Sequence, residues 1–137
     1  MTDFIGVKIA LFFEGDLLVY LRDNKPGLRF AGLWDFPGGG REGEETPIEC
    51  VTREVKEEFS IELKPVQIIW QKEWPSMHEP NSKAHFMVAQ LTKNNFENIK
   101  FGVEGQKWKL MSVDEFFSHD DAVPHLKDRL KDYLKSI

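Results

Sequence analysis

The chain has 137 residues, of which 41% are hydrophobic and 30% charged, with 11 Phe and 4 Trp. That length buries about two thirds of its unfolded surface, enough for the core of a single domain over residues 1–137, and the composition excludes a disordered chain and a membrane protein. The formal charge of −5 argues against a protein that holds long nucleic acid through counterion release.

The excess is local, because residues 41–62 hold eight acids and three bases while the remaining bases and acids balance. Such a segment either solvates a helix or collects cations. A lone cysteine, Cys50, excludes an internal disulfide and a multi-thiolate zinc site, and it fits a reducing, cytoplasmic setting. Asp3, Gly6 and Lys8 interrupt the first apolar run, so no signal peptide is expected, and no stretch reaches the ~20 apolar residues of a membrane span.

In chain order, Val7–Phe13 and Leu17–Leu21 are β-rich runs around Glu14-Gly15-Asp16, which predicts a hairpin. Leu33-Trp34-Asp35-Phe36 predicts a short strand that Pro37 stops, with a loop through Gly38, Gly39 and Gly40. Thr46-Pro47-Ile48-Glu49 combines a Thr N-cap, Pro at the first helical position and Glu at the third. A helix therefore starts there, carries Ile48, Val51, Val55 and Phe59 as an apolar stripe, and ends near Ser60. Val66–Trp70, Ala84–Leu91 and Lys107–Met111 predict further strands. Ser112-Val113-Asp114-Glu115 starts a short helical turn, and a last helix over 123–134 turns Val123, Leu126, Leu130 and Leu134 inward. Strands interleaved with helices imply an α+β fold in which helices cover a mixed sheet.

At 100° per residue, Glu54, Glu57 and Glu58 fall within an arc of about 100° on one helix face. Like charges so spaced repel by a few tenths of a kcal/mol each, and hard oxygen donors in that number suit Mg²⁺ or Mn²⁺. On the helix residues alone, an ordinary solvated face is the better explanation. The preceding Pro-Gly-Gly-Gly turn favours the cation reading, since it places backbone groups beside the carboxylates. Gly38 to Gly43 formally matches G-x-G-x-x-G, but here the helix starts only at Thr46, and no Lys-Ser or Lys-Thr follows to make a P-loop.

Gly39, five residues, Glu45, seven residues, then Arg53-Glu54-Val55-Lys56-Glu57-Glu58-Phe59-Ser60-Ile61 resembles the box of the Nudix hydrolases, which act on nucleoside diphosphates linked to another group. Ser60 stands where that family usually has Gly, and Glu44 where Gly commonly precedes the box Glu. Gly32 to Pro37 resembles the strand that leads into the box, and Val103-Glu104-Gly105-Gln106 resembles a later loop of the MutT-like branch that hydrolyses oxidised nucleotides.

The resemblance implies an α/β/α sandwich and a metal site formed by Glu54, Glu57, Glu58, Glu104 and the carbonyl of Gly38. Arg53 would orient the helix carboxylates, with Gly39 and Glu45 in support. Mg²⁺, or Mn²⁺, would assist water attack on phosphorus, with Glu54 or Glu58 as the base. The implied substrate is a small (d)NTP hydrolysed to a nucleoside monophosphate and pyrophosphate, by a monomer or homodimer. ADP-ribose or a nucleotide sugar is the alternative substrate, and a non-catalytic nucleotide sensor the alternative role.

Candidates for reading the substrate are Arg22 at a strand end, Trp34 and Phe36 as stacking surfaces, and Asp121. Asp120 and Asp121 stand about where the MutT-like branch has a base-reading Asn. Trp70, Trp74 and Trp108 are further stacking candidates, each weighed against a place in the core. His78, His85, His119 and His125 form no spaced metal set.

Overall fold

The computed structural model describes residues 4–77, 79 and 81–137, so Asp3 and His78 lie outside the described residues. The first hairpin forms as expected: β1 (Phe4–Phe13) and β2 (Asp16–Leu21) pair antiparallel, Phe13 opposite Asp16. Next come β3 (Trp34–Asp35) and β4 (Gly38–Gly40), followed by α1 (Pro47–Phe59). β5 (Ile68–Pro75) and β6 (Lys83–Gln90) then lead to a short helix, α2 (Lys93–Glu97). β7 (Lys107–Met111), α3 (Val113–Ser118) and α4 (Pro124–Lys135) complete the chain.

The strands form one mixed sheet in the order β3-β2-β1-β6-β5. β1 and β6 are parallel, β4 also pairs with β1, and β7 also pairs with β2. Because side chains alternate along a strand, the sheet has two apolar faces. One packs Val7, Ile9, Leu11, Leu18 and Tyr20 against Val51, Val55 and Phe59 of α1. The other packs Ala10, Phe12, Val19, Phe86 and Val88 against Phe116 of α3 and Leu126 and Leu130 of α4. The result is the expected α/β/α sandwich in the α+β class. Among the described residues, no helix is long and apolar enough to cross a membrane.

Several local expectations change. The three glycines after Pro37 are a strand rather than a loop, paired as Gly6↔Gly40, Val7↔Gly39 and Lys8↔Gly38. Residues 65–67 form a 3₁₀ turn, so β5 starts later than Val66 and runs on to Pro75. In α4, Arg129 and Tyr133 join Leu126 and Leu130 as buried residues while Leu134 is only half-buried. The helix α2, capped by Thr92 and Asn95, was not anticipated. Its sequence is polar and only five residues long, so it carries no periodic apolar signal.

Candidate active site

The glycine strand has its composition because of its neighbours. A Cβ at Gly38, which has φ +142°, would stand 2.1 Å from the Val7 carbonyl oxygen, and one at Gly39 would stand 2.5 Å from the Glu54 carboxylate. Only glycine lets β4 lie this close to both β1 and α1. The helix starts as its sequence demands: Thr46 Oγ1 accepts from Glu49 N at 3.2 Å and Glu49 Oε1 accepts from Thr46 N at 2.9 Å. It ends on Ser60 at φ +59°, the left-handed cap that the family position normally gives to glycine.

Between those ends, Arg53 organises most of the acid. Its Nε and NH2 donate to the two oxygens of Glu45 at 2.7 and 3.1 Å, NH1 donates to Glu54 and Glu57 at 2.9 Å each, and NH2 also donates to the Gly40 carbonyl at 2.8 Å. The Arg53 hydrogen bonds, together with one from Glu42 N, hold the Glu45 carboxyl down at about 2. Glu58 turns the other way and accepts from Gly38 N at 2.9 Å. Burial pushes its carboxyl up to about 8, against the nearby Lys8 charge and the Gly38 amide. Burial also raises Glu54, with Arg53 opposing.

The loop carrying Glu104 is tied at both ends. Lys100 N and Gly102 N donate to the carbonyls of Phe59 and Glu58 at 3.0 and 2.8 Å, and Gln106 N donates to the Leu21 carbonyl at 2.8 Å. One cavity of about 790 Å³ thus collects Glu54, Glu57, Glu58, Glu104, Gly38 and Gly39, with Lys8 and Arg22 on the same wall. Under them lies Asp35, 2% exposed, whose Oδ2 accepts from Lys8 Nζ at 2.8 Å, Arg22 NH1 at 3.0 Å and Tyr20 Oη at 3.4 Å. Burial opposes the Lys8 charge, but Asp35, Tyr20 and Glu58 together outweigh that and hold Lys8 above the usual lysine range.

Among the described residues, no three His, Cys, Asp or Glu side chains form a preassembled metal cage, because Glu54 and Glu57 are drawn to Arg53 and Glu58 to Gly38. The donor set nonetheless fits a hard divalent cation. It is all oxygen, and the Glu58 carboxyl, disfavoured as an anion by burial despite Lys8 nearby, is a group that a bound cation would favour as the carboxylate.

Of the residues expected to read the substrate, Arg22 lines the cavity and three others do not. Phe36 is fully buried between Phe86 and Phe116, with ring centroids 6.1 and 4.6 Å away. Trp34 lies in the same core cluster, with Lys109 over its ring at 5.1 Å. Asp121 meets the fold through its backbone, its carbonyl accepting from Trp34 N at 2.7 Å and its amide donating to His119 Nδ1 at 3.0 Å. The reason is alternation: along Trp34-Asp35-Phe36 the two aromatics turn into the α4-side core, and Asp35 turns with its cross-strand partner Tyr20 toward the cavity. Trp70 and Trp108 pack against the two cores, and neither they nor Trp74 line this cavity. The cavity's aromatics are instead Tyr20, Phe30 and His125.

The family model described as the NUDIX domain matches residues 5–133. The chain belongs to the Nudix family. An RNA pyrophosphohydrolase of Marinomonas sp. (strain MWYL1) is 32% identical to this Nudix chain over 81 residues, a stretch covering 58% of the chain and 45% of that relative. The chain thus spans less than half the length of this curated relative. Among solved structures, a MutT protein from Methanosarcina mazei Go1 superimposes with a TM-score of 0.77 at 22% identity over 98% of this chain and 96% of that one. A bifunctional NMN adenylyltransferase/ADP ribose pyrophosphatase from Francisella tularensis, complexed with AMP and a Mn ion, gives 0.77 at 18% identity over 98% of this chain and 42% of that one. At these identities the likeness shows the shared Nudix fold.

Proposed function

We infer that this chain is a divalent-metal-dependent hydrolase of a phosphoric anhydride bond in a nucleoside di- or triphosphate derivative, with a (d)NTP cleaved to a monophosphate and pyrophosphate as the leading case. The observation that carries this reading is one cavity that gathers Glu54, Glu57, Glu58 and Glu104 together with Lys8 and Arg22. Acids alone would repel a polyphosphate; acids that hold a cation, with a fixed lysine and arginine in the same cavity, attract one.

Glu54, Glu57, Glu58, Glu104 and the Gly38 carbonyl are the residues that would hold Mg²⁺ or Mn²⁺. When bound, such an ion supplies neutralisation of phosphate charge and acidifies the attacking water. Arg53 holds Glu54 and Glu57 in place through one nitrogen, so the helix carboxylates keep a fixed spacing. Lys8 and Arg22, anchored on Asp35, present positive charge to the phosphate chain. Glu58 or Glu54 accepts the proton from water, both being carboxyls that burial makes more basic than usual.

The test is incubation with dNTPs, an oxidised dGTP, ADP-ribose, a nucleotide sugar and a 5′-triphosphorylated RNA, with Mg²⁺, Mn²⁺ or EDTA, and identification of products by mass. The expected result is release of a nucleoside monophosphate and pyrophosphate that EDTA abolishes. Glu57→Gln and Glu58→Gln are expected to lower turnover by about 10²- to 10⁴-fold without a change in thermal midpoint. Cleavage of ADP-ribose or the nucleotide sugar alone moves the substrate class, and inertness toward the whole panel overturns the reading in favour of a nucleotide sensor.

A further inference from the structure

The cavity has a second end that the hydrolytic chemistry does not use. Besides Glu54, Glu57 and Glu58 of α1, the cavity lining includes Phe30, Met77, Val123 and, from α4, His125 and Arg129. Arg129 is 4% exposed, yet among the described residues it has no ion pair, and its one hydrogen bond runs from NH2 to the Pro75 carbonyl at 3.3 Å. The guanidinium also lies over the Trp74 ring, 5.7 Å from its centroid, while Nε and NH1 make no hydrogen bond among the described residues and NH2 keeps a second hydrogen. NH2 with either neighbour therefore leaves a two-donor fork open to a ligand in the cavity.

A second feature of the same wall is independent of Arg129. Phe30 is held at φ +56°, a conformation that bulky side chains rarely adopt, and its ring packs 5.4 Å from that of His125. His125 and Arg129 lie four residues apart and so share one face of α4. The lining thus offers flat, apolar surface and the Arg129 guanidinium, with Arg29 already committed to the Met77 carbonyl at 3.0 Å and the Glu79 carboxylate alongside, a mixed composition that suits a nucleobase better than a phosphate.

The geometry points to Arg129 as a specificity-determining residue whose guanidinium donates to two adjacent acceptors on the edge of a nucleobase stacked near Phe30. This rests on the nucleotide reading above. Guanine presents such a pair in O6 and N7, and cytosine in O2 and N3. Adenine sets a donor beside N7, and uracil and thymine separate their carbonyls with an N–H. The site accordingly favours guanine and cytosine nucleotides over adenine ones.

The experiment compares kcat/KM for dGTP, dCTP and dATP in the wild type and in Arg129→Lys, which keeps the charge and loses the fork. Arg129→Lys is expected to lower kcat/KM for dGTP and dCTP by about ten- to a hundredfold, mainly through KM, and for dATP by less than about threefold. An equal loss on all three overturns the assignment and makes Arg129 structural or phosphate-directed. Should the variant not fold, the wild type in EDTA answers: dGMP is expected to shift the NMR resonance of the Arg129 Nε–H, and dAMP or inorganic phosphate is not. A shift by phosphate alone, or none by dGMP, overturns it. A wild type inert toward all nucleotides overturns the hydrolase reading itself, whereas an active wild type with unchanged base ratios in Arg129→Lys overturns only this one.

Discussion

Glu58 Oε1 accepts the amide hydrogen of Gly38 across a separation of 20 residues, and this 2.9 Å bond joins that from Arg53 to the Gly40 carbonyl in tying the glycine strand to the carboxylate helix. Strand and helix are fitted to each other more closely than any non-glycine sequence allows, and the fit differs between neighbouring positions.

Gly38→Ala would drive a methyl into backbone at a positive φ, whereas the atom met by Gly39→Ala is the end of the Glu54 side chain. Gly38→Ala is expected to cost about 3 kcal/mol or more in urea unfolding. Gly39→Ala is expected to cost about 1 kcal/mol and to reduce turnover about 10²-fold by displacing Glu54. Equal stability losses in the two variants would contradict this account.

Asp35 is the buried counter-ion of Lys8 and Arg22. Asp35→Ala leaves two cations uncompensated, and a loss of about 3–5 kcal/mol in denaturant unfolding is expected. The double variant Lys8→Met/Asp35→Leu should recover part of it, because replacing an ion pair by apolar groups costs less than breaking it.

Ser60 caps α1 in the left-handed region and gains little from its side chain, whose Oγ donates to the Lys100 carbonyl at 3.4 Å. Ser60→Gly removes the strain of that conformation but adds freedom to the unfolded chain, for a net gain of about 0.5 kcal/mol. Calorimetry should show a raised melting temperature.

Glu45 is bound to Arg53 on both oxygens and titrates at about 2 instead of 4.5. A carboxyl depressed on folding adds stability that is complete above its unfolded value and disappears as pH falls toward its folded one. The stability difference between the wild type and Glu45→Gln should therefore be constant above about pH 5 and shrink steadily from 4.5 to 2. Urea titrations across that window measure it.

Much of this arrangement is legible in the residue order, for local reasons. The start of α1 is written in Thr46, Pro47 and Glu49, and the hairpin in Glu14-Gly15. The box charges share a helix face by periodicity alone. Trp34 and Phe36 mislead because aromatic rings serve cores and ligands alike, and only strand pairing shows that Asp35 is the residue facing the cavity. Lys8 stands alone in an apolar run and Arg129 sits in the charged stretch Lys127-Asp128-Arg129-Leu130-Lys131, and their place in one cavity depends on where β1 and α4 lie in the fold, a long-range relationship that no window of sequence contains. A buried Arg amid the inward positions of α4 is the one local sign that could have pointed there.

The cavity takes its walls from both layers of the sandwich, the acids from α1 and the guanidinium from α4. Neither helix can loosen from the sheet without opening the cavity, so catalysis becomes a gauge of intact tertiary structure. In a denaturant series, turnover should vanish in step with the cooperative loss of both cores, and partly folded chains that keep only one docked helix should be inert.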